Sequence, residues 1–429
     1  MGLAGESNRV SRALVHQSNY DRIRKEASLW RAWASVKSSG FRSESADTQR
    51  HVREFAAEER RHLRRIQRQL QQGKFSFGAA RGILITRPGK SPRPIVMASL
   101  DARIVQRAIL DELQDLAALR PYFLNDNSFG GVQRKGRGDA IRAALEAMRS
   151  GARYFVRSDI KEFFTRIPRE RALAVILKMV DEPTQQLLRA AVCVELENAA
   201  DLAEFRDAFP GEERGVAQGF CLSSLLGNVL LADFDRRMND RGVRCLRYVD
   251  DFLILADTEW RAMKAFDSAT RLLDDLGLDA YDPRVDSEKA DRGTTRSAFE
   301  FLGCSVQPGL VGPSAKSRER LFEKVDQRIR IGLGHIDERG RQGDRRASVF
   351  RVVADIGHIV HGWRESFEFC EQACVFVDID RQLDRRLQTF LSRFWSVYAP
   401  ADAAVRRALI GVPRLSGAVV SSSRGSACG

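Results

Sequence analysis

Three aspartates, Asp159, Asp250 and Asp251, carry the strongest chemical signal in this 429-residue chain. Two are adjacent in Tyr248-Val249-Asp250-Asp251, within an apolar run from Cys245 to Leu255 that only Arg247 otherwise interrupts. Carboxylates between hydrophobic strands are costly to bury unless something neutralises them. A divalent cation does so, and Mg2+ favours hard carboxylate oxygens while keeping coordination places for phosphates. Asp159 ends a separate aromatic and β-branched run that begins at Tyr154. If the two strands lie side by side, three carboxylates meet at one sheet edge. Two metal ions held there could activate a hydroxyl and stabilise a leaving pyrophosphate. An isolated Asp-Asp pair is more often an exposed turn, so the surrounding chain must decide.

The elements that would position these residues are legible in outline. Cys245–Leu255 reads as a β-hairpin with an acidic tip, and residues 154–159 as a strand. Gly82–Thr86 reads as a strand, residues 87–94 as a turn around Pro88-Gly89, and Ile95–Met97 as the returning strand. Residues 101–119 and 139–149 read as helices flanking a Gly-rich patch at 130–138, and 222–236 as one apolar helix. Phe299–Val306 reads as another strand. Beyond residue 314 the pattern is helical, with basic clusters at Arg318–Arg320, Arg328–Arg330 and Arg339–Arg346, then a small polar tail at 421–429. Upstream, Val52, Phe55, Leu63, Ile66 and Leu70 predict one amphipathic helix ending at Gly73, with Arg60, Arg61, Arg64, Arg65 and Arg68 around it.

Composition narrows the partners. Lys plus Arg is 70 against 57 Asp plus Glu, a formal charge of +13. Residues 1–75 hold 16 Lys/Arg and 8 Asp/Glu, so that segment carries much of the excess. This balance points to a polyanion, most commonly nucleic acid. The hydrophobic content of 43% supports a sizeable core. Seven scattered cysteines include no C-x-x-C pair, which suits a reducing compartment better than a zinc ribbon or disulfide framework. Cys370 and Cys374, at helical spacing, read as core rather than metal ligands. The opening MGLAGESNRVSRALVHQ lacks a signal-peptide apolar run, and no stretch is long and apolar enough for a membrane span. The expectation is a cytoplasmic protein with no membrane partner.

A series of ordered motifs resembles the reverse transcriptases, in particular the bacterial, group II intron-like and defence-associated lineage. Asp159-Ile-Lys-Glu-Phe-Phe164 resembles their first palm motif, Gln218-Gly-Phe-Cys-Leu-Ser223 the second and Tyr248-Val-Asp-Asp251 the third. Ser287-Glu288-Lys289 is similar to the lysine-bearing motif, and Phe301-Leu302-Gly303 to the grip strand. Gly89–Pro94, Asp101–Gln106 and Asn127–Gly130 resemble fingers motifs. More weakly, His361-Gly-Trp-Arg364 and Ile379–Leu387 are similar to the segment following the palm. The second motif departs from the intron pattern, with Ala217 and Ser224 where prolines are usual.

The resemblance implies an α+β right hand with fingers, a ferredoxin-like palm carrying an antiparallel sheet, a helical thumb and a basic helical N-terminal extension. The expected boundaries are 1–75 for the extension, 76–157 for fingers, 158–310 for palm with some interleaving, and 311–429 for thumb and tail. It implies Asp159, Asp250, Asp251 and the Ile160 carbonyl as ligands for two Mg2+ ions, with Mn2+ as a substitute. Lys289 would protonate pyrophosphate, although a plain surface lysine fits the residue equally well. Lys90 and Arg93 would hold the nucleotide triphosphate, suited to it by their charge. Phe164 would lie beneath the sugar and select deoxynucleotides, and Gln218 and Gly219 would bracket the base pair.

The expected function is RNA-directed DNA polymerase. Its partners would be an RNA template, preferably a structured noncoding RNA, a DNA primer and product, and deoxynucleoside triphosphates. A protein partner or homo-oligomer is compatible with these. The expected setting is bacterial antiphage defence. The alternatives are a group II intron-like mobile element and untemplated or protein-primed synthesis on the same palm.

Overall fold

The computed structural model describes residues 18–43, 45–87, 90–131, 135–240, 242–286, 288–339 and 348–412. The expected Pro88-Gly89 turn, the Lys90 side chain, Ser287, residues 340–347 of the last basic cluster and the polar tail lie outside the described residues. The chain forms two compact units, which meet in sequence between Thr294 and Thr295.

The first unit begins with α1 (Asn19–Ile23), α2 (Glu26–Phe41), α3 (Ala46–Ala57) and α4 (Glu59–Gln71). Leu29, Trp33 and Val36 recur at helical spacing on α2 and are buried. The single basic helix expected from the apolar stripe is two helices broken at Glu58 (φ −127°, ψ 31°). Glu59 occupies the stripe where a straight helix would bury an apolar residue. The break lets its carboxylate accept from Trp33 Nε1 and Lys37 Nζ, each at 2.8 Å. Arg60, Arg61, Arg64, Arg65 and Arg68 are exposed on α4, as expected.

Next come β1 (Arg81–Arg87), β2 (Lys90–Met97), α5 (Leu100–Asp115), β3 (Ser128–Phe129) and α6 (Arg137–Arg149). The β1–β2 ribbon is longer than expected. Pro92, Arg93 and Pro94 belong to β2 rather than to the turn, with Leu84 opposite Pro94 and Ile85 opposite Arg93. A two-stranded ribbon has only edges, where a proline need not break a ladder.

The chain continues through β4 (Tyr154–Asp159), α7 (Phe163–Arg166), α8 (Arg169–Leu177), α9 (Glu182–Val192), α10 (Cys221–Leu230) and α11 (Ala232–Asn239). The expected 222–236 helix is interrupted at Leu231 (φ −88°, ψ 5°). The apolar α10 is almost wholly buried, whereas α11 turns Asp233, Arg236 and Arg237 outward. The unit closes with β5 (Arg244–Tyr248), β6 (Asp251–Ala256), α12 (Glu259–Asp274) and β7 (Asp291–Thr294).

The central sheet has the order β3-β5-β6-β4-β7. β5 and β6 form the expected hairpin, β4 runs antiparallel to β6 and β7, and β3 is parallel to β5. One hydrophobic core joins Trp33, Phe55 and Ile66 of the N-terminal helices to Ile109, Leu188, Leu226, Val156 and Phe266. The helices of the basic segment are therefore built into the same core as the sheet.

The second unit contains β8 (Phe299–Phe301), β9 (Cys304–Gln307), β10 (Leu310–Pro313), α13 (Ala315–Arg339), α14 (Val349–Ser366), α15 (Ala373–Tyr398) and α16 (Ala403–Ile410). Its helices pack around Val325, Val352, Ile379 and Phe390. The strand expected over Phe299–Val306 is instead a hairpin. Leu302 and Gly303 have φ of 51° and 75°, and consecutive left-handed residues close a tight turn. Trp363 packs against Phe367 with ring centroids 4.7 Å apart and planes tilted by 41°, and donates to the Ser317 carbonyl at 3.2 Å. No described helix is long and apolar enough to cross a membrane.

Candidate active site

Strand register brings the three aspartates together. Asp159, the last residue of β4, pairs in register with Asp251, the first residue of β6. Tyr248 and Asp251 pair across the hairpin, so Val249 and Asp250 form its two-residue tip. One carboxylate oxygen from each aspartate lies within 4.8 Å of the others. The next backbone amide, of Ile160, donates to the Asp250 carbonyl at 3.1 Å. Among the described residues this is the one acidic group with metal-ligand spacing.

Val249 sits at φ 60°, a conformation unfavourable for a β-branched residue. Its amide donates to the Phe129 carbonyl at 3.1 Å, and its carbonyl accepts from Arg247 Nη1 at 2.8 Å. Its side chain presses on Gly130, where an added Cβ would come within 2.8 Å of Val249 Cγ2. The Asn127–Gly130 motif therefore supports the tip from beside it.

Burial and mutual repulsion govern the electrostatics. Burial, with Asp159 nearby, pushes Asp250 up to about 6. Burial and both neighbouring aspartates push Asp251 up to about 7. Burial also raises Asp159, opposed by Lys289. Lys289 Nζ lies 3.3 Å from Asp159 Oδ2, and 5.3 Å above the Tyr281 ring. Lys289 thus borders the acidic cluster while its side chain stays 43% exposed. Lys161 Nζ approaches the same ring at 5.1 Å. Tyr281 is fixed by its amide on the Asp159 carbonyl (3.1 Å) and by Ser158 Oγ on its own carbonyl (2.7 Å).

The other expected site residues gather along β2 and α7. Arg93 Nε donates to Gln218 Oε1 at 2.9 Å, and the Gln218 carbonyl accepts from the Val96 amide at 2.8 Å. The Arg93 charge also draws Asp250 downward. Gly219 has φ 118°, and a Cβ there would come within 2.6 Å of the Val96 carbonyl oxygen. Phe163 is 3% exposed and abuts Gly227, whereas Phe164 is half-buried. Of the two rings, Phe163 belongs to the core and Phe164 has an open side.

The sequence reading gives Arg247 and Asp235 no role. Arg247 is fully buried and forms a two-point ion pair with Asp235, at 2.7 and 2.6 Å. The signal was present: a cation in a strand otherwise apolar on both faces needs a buried partner. Tyr281 carried no local signal, because its place is set by contacts with Ser158 and Asp159, more than 120 residues earlier.

Three half-buried carboxylates with hard oxygen donors fit a divalent cation. Without one, they penalise the folded state once ionised. Because their folded-state pKa values are raised, stability falls as pH rises from the ordinary carboxylate range through about 6 to 7. Metal-free protein should therefore lose on the order of 1–3 kcal/mol across that interval relative to Asp251→Asn. Denaturant unfolding in chelator, at steps from pH 4.5 to 8, checks this. Parallel curves for parent and variant would contradict it. Added Mg2+ at pH 8 should stabilise the parent more than the variant.

The comparison with protein families matches residues 85–306 to reverse transcriptase (RNA-dependent DNA polymerase), just over half of the chain. A curated relative, an uncharacterised 91 kDa protein in a cob intron of Schizosaccharomyces pombe, is 28% identical over 172 residues. That stretch is 40% of this chain and 20% of the relative, so the chain matches a fifth of the relative's length. Among solved structures, apo telomerase from Candida tropicalis is 14% identical, over 82% of this chain and 67% of that one, with TM-score 0.42. The same telomerase truncated from its C-terminal domain is 16% identical, over 56% and 55%, with TM-score 0.40. A partial Cas6-RT-Cas1–Cas2 complex is 18% identical, over 64% and 44%, with TM-score 0.31.

Proposed function

Because this chain belongs to the reverse transcriptase family, we propose that it copies an RNA template into DNA by adding deoxynucleotides to a primer. The observation that carries the reading is the register of Asp159 on Asp251, which gathers three carboxylates inside the span that matches the family. In each cycle the primer 3′-oxygen bonds to the α-phosphorus of a deoxynucleoside triphosphate. The bond to the bridging oxygen breaks, the 3′-hydroxyl proton leaves, and pyrophosphate departs.

Asp159, Asp250 and Asp251, with the Ile160 carbonyl, would hold Mg2+, for which Mn2+ would substitute. When bound, these ions supply Lewis-acid stabilisation of the attacking and leaving oxygens. Lys289, a cation beside Asp159, would give a proton to the departing pyrophosphate. Arg93 and Lys90 meet the triphosphate, and the open side of Phe164 meets the sugar. Gln218 and Gly219, tied to β2, present backbone and amide to the base pair. The natural partners are an RNA template, a DNA primer and deoxynucleoside triphosphates.

Asp159→Asn and Asp250→Asn should each reduce incorporation on an annealed RNA–DNA primer–template to background while retaining the fold. Incorporation at the parent rate by either variant would overturn the reading.

The basic face of α4 supports binding to structured RNA. Arg61 pairs with Glu58 and Arg65 with Asp101, whereas the exposed Arg60, Arg64 and Arg68 form no ion pair among the described residues. Replacing these three by Glu should weaken RNA binding and flatten its salt dependence by about two to three log–log units. Superimposable titrations from 50 to 300 mM salt would make this only a solvated face.

We read the biological setting as bacterial antiphage defence using a noncoding RNA. Ala217 and Ser224 support a departure from mobile-intron enzymes; here the Ala217 carbonyl accepts from Ser223 Oγ at 2.7 Å, tying the turn without proline. The cob-intron relative supports the alternative of mobility. Phage plating on cells with the native locus should show protection that Asp250→Ala/Asp251→Ala abolishes. Protection that survives the double variant, or movement of the locus without protection, would overturn the defence reading.

A further inference from the structure

We propose that Arg247 is a positioning residue that fixes the left-handed turn at Val249 from inside the sheet and so aims Asp250 and Asp251. The consequence for catalysis rests on the polymerase reading above; the consequence for metal binding does not.

The Arg247 guanidinium has no exposed surface. It carries five N–H donors, and five acceptors surround it. Asp235 takes two, from Nε at 2.7 Å and Nη2 at 2.6 Å. Asn228 Oδ1 takes one from Nη1 at 3.0 Å, and Ser128 Oγ takes one from Nη2 at 2.8 Å. The fifth acceptor is the Val249 carbonyl, 2.8 Å from Nη1. One side chain thus ties α10, α11 and β3 to the tip of the β5–β6 hairpin. Asn228 extends the tie by donating from Nδ2 to the Gly130 carbonyl at 3.1 Å.

This arrangement does more than fill a core. A buried ion pair can often be exchanged for apolar residues without loss of stability. The planar fork instead imposes directions, since its Nε–Nη2 edge clamps Asp235 while one of the three remaining donors reaches the residue with φ 60°. Val249 directly precedes the two carboxylates, so rotation of its peptide redirects both. Lysine has three donors and no plane, and cannot serve all five acceptors.

The test uses the full chain, with Mn2+ binding followed by electron paramagnetic resonance in the absence of nucleic acid. Arg247→Lys keeps the charge but loses the fork. Arg247→Met/Asp235→Leu removes both charges together, leaving no lone buried ion. Either folded variant should bind Mn2+ at least tenfold more weakly. In primer extension kcat should fall at least tenfold, with the nucleotide KM within threefold of the parent. Ser128→Ala, which removes one anchor only, should weaken Mn2+ binding two- to fivefold. A folded Lys or Met/Leu variant with Mn2+ affinity within twofold of the parent would overturn the proposal. So would failure of both to fold while Ser128→Ala binds Mn2+ as the parent does, because Arg247 would then be structural only. A parent that binds Mn2+ but makes no DNA would overturn the polymerase reading and leave this inference to the Mn2+ titrations.

Discussion

Three carboxylates held within 4.8 Å of one another, each largely removed from water, repel and are poorly solvated. No chain adopts that arrangement by local preference. It survives here because the penalty is opposed by elements that cannot easily yield. Asp159 and Asp251 are locked opposite each other by the β4–β6 register, in strands whose apolar residues Phe155, Val156 and Phe252 to Ala256 are buried. A one-residue slip would turn every side chain of either strand to the wrong face. The acidic cluster is therefore maintained by the hydrophobic core beneath it.

Strain is concentrated at the same place. Glu162 and Val249 are the two non-glycine residues of the first unit, among those described, with positive φ, at 48° and 60°. One follows Asp159 by three residues and the other immediately precedes Asp250. Such conformations persist only where the surroundings over-determine them. Around Val249 the determinants are the Phe129 carbonyl, Arg247 and the missing side chain of Gly130. The Glu162 carbonyl accepts from the Thr165 and Arg166 amides, each at 3.0 Å, and nearby Tyr281 and Lys289 give Asp159 a fixed backbone contact and a compensating charge. Gln218 is set by a different device, its attachment to the β1–β2 ribbon through Val96 and Arg93.

Much of this was legible in the sequence, for physical reasons. Strands β4, β5 and β6 announce themselves as short apolar runs, and acids at their ends imply a cation. The paired phenylalanines announce that one ring is core, and Phe163 fills that place against Gly227. What was not legible depends on tertiary partners or on single polar residues within an apolar pattern. Glu59 breaks the basic helix because Trp33 and Lys37 await its carboxylate, which no periodicity in residues 52–70 reveals. Leu302-Gly303 splits one expected strand into two through backbone conformation rather than hydrophobicity. Arg247 stood out by type, but Asp235, Asn228 and Ser128 became its partners only when helix and sheet were assembled.

The proposed role of these three aspartates is to hold two metal ions for nucleotide addition. It is tested most directly by anomalous diffraction from crystals of the protein bound to an RNA–DNA primer–template, a non-hydrolysable deoxynucleotide analogue and Mn2+. Two Mn2+ peaks about 3.5–4 Å apart are expected, with Asp159, Asp250 and Asp251 among their ligands and the nucleotide phosphates completing the coordination. Ordered nucleotide without Mn2+ at these carboxylates, or Mn2+ held by other residues, would contradict it.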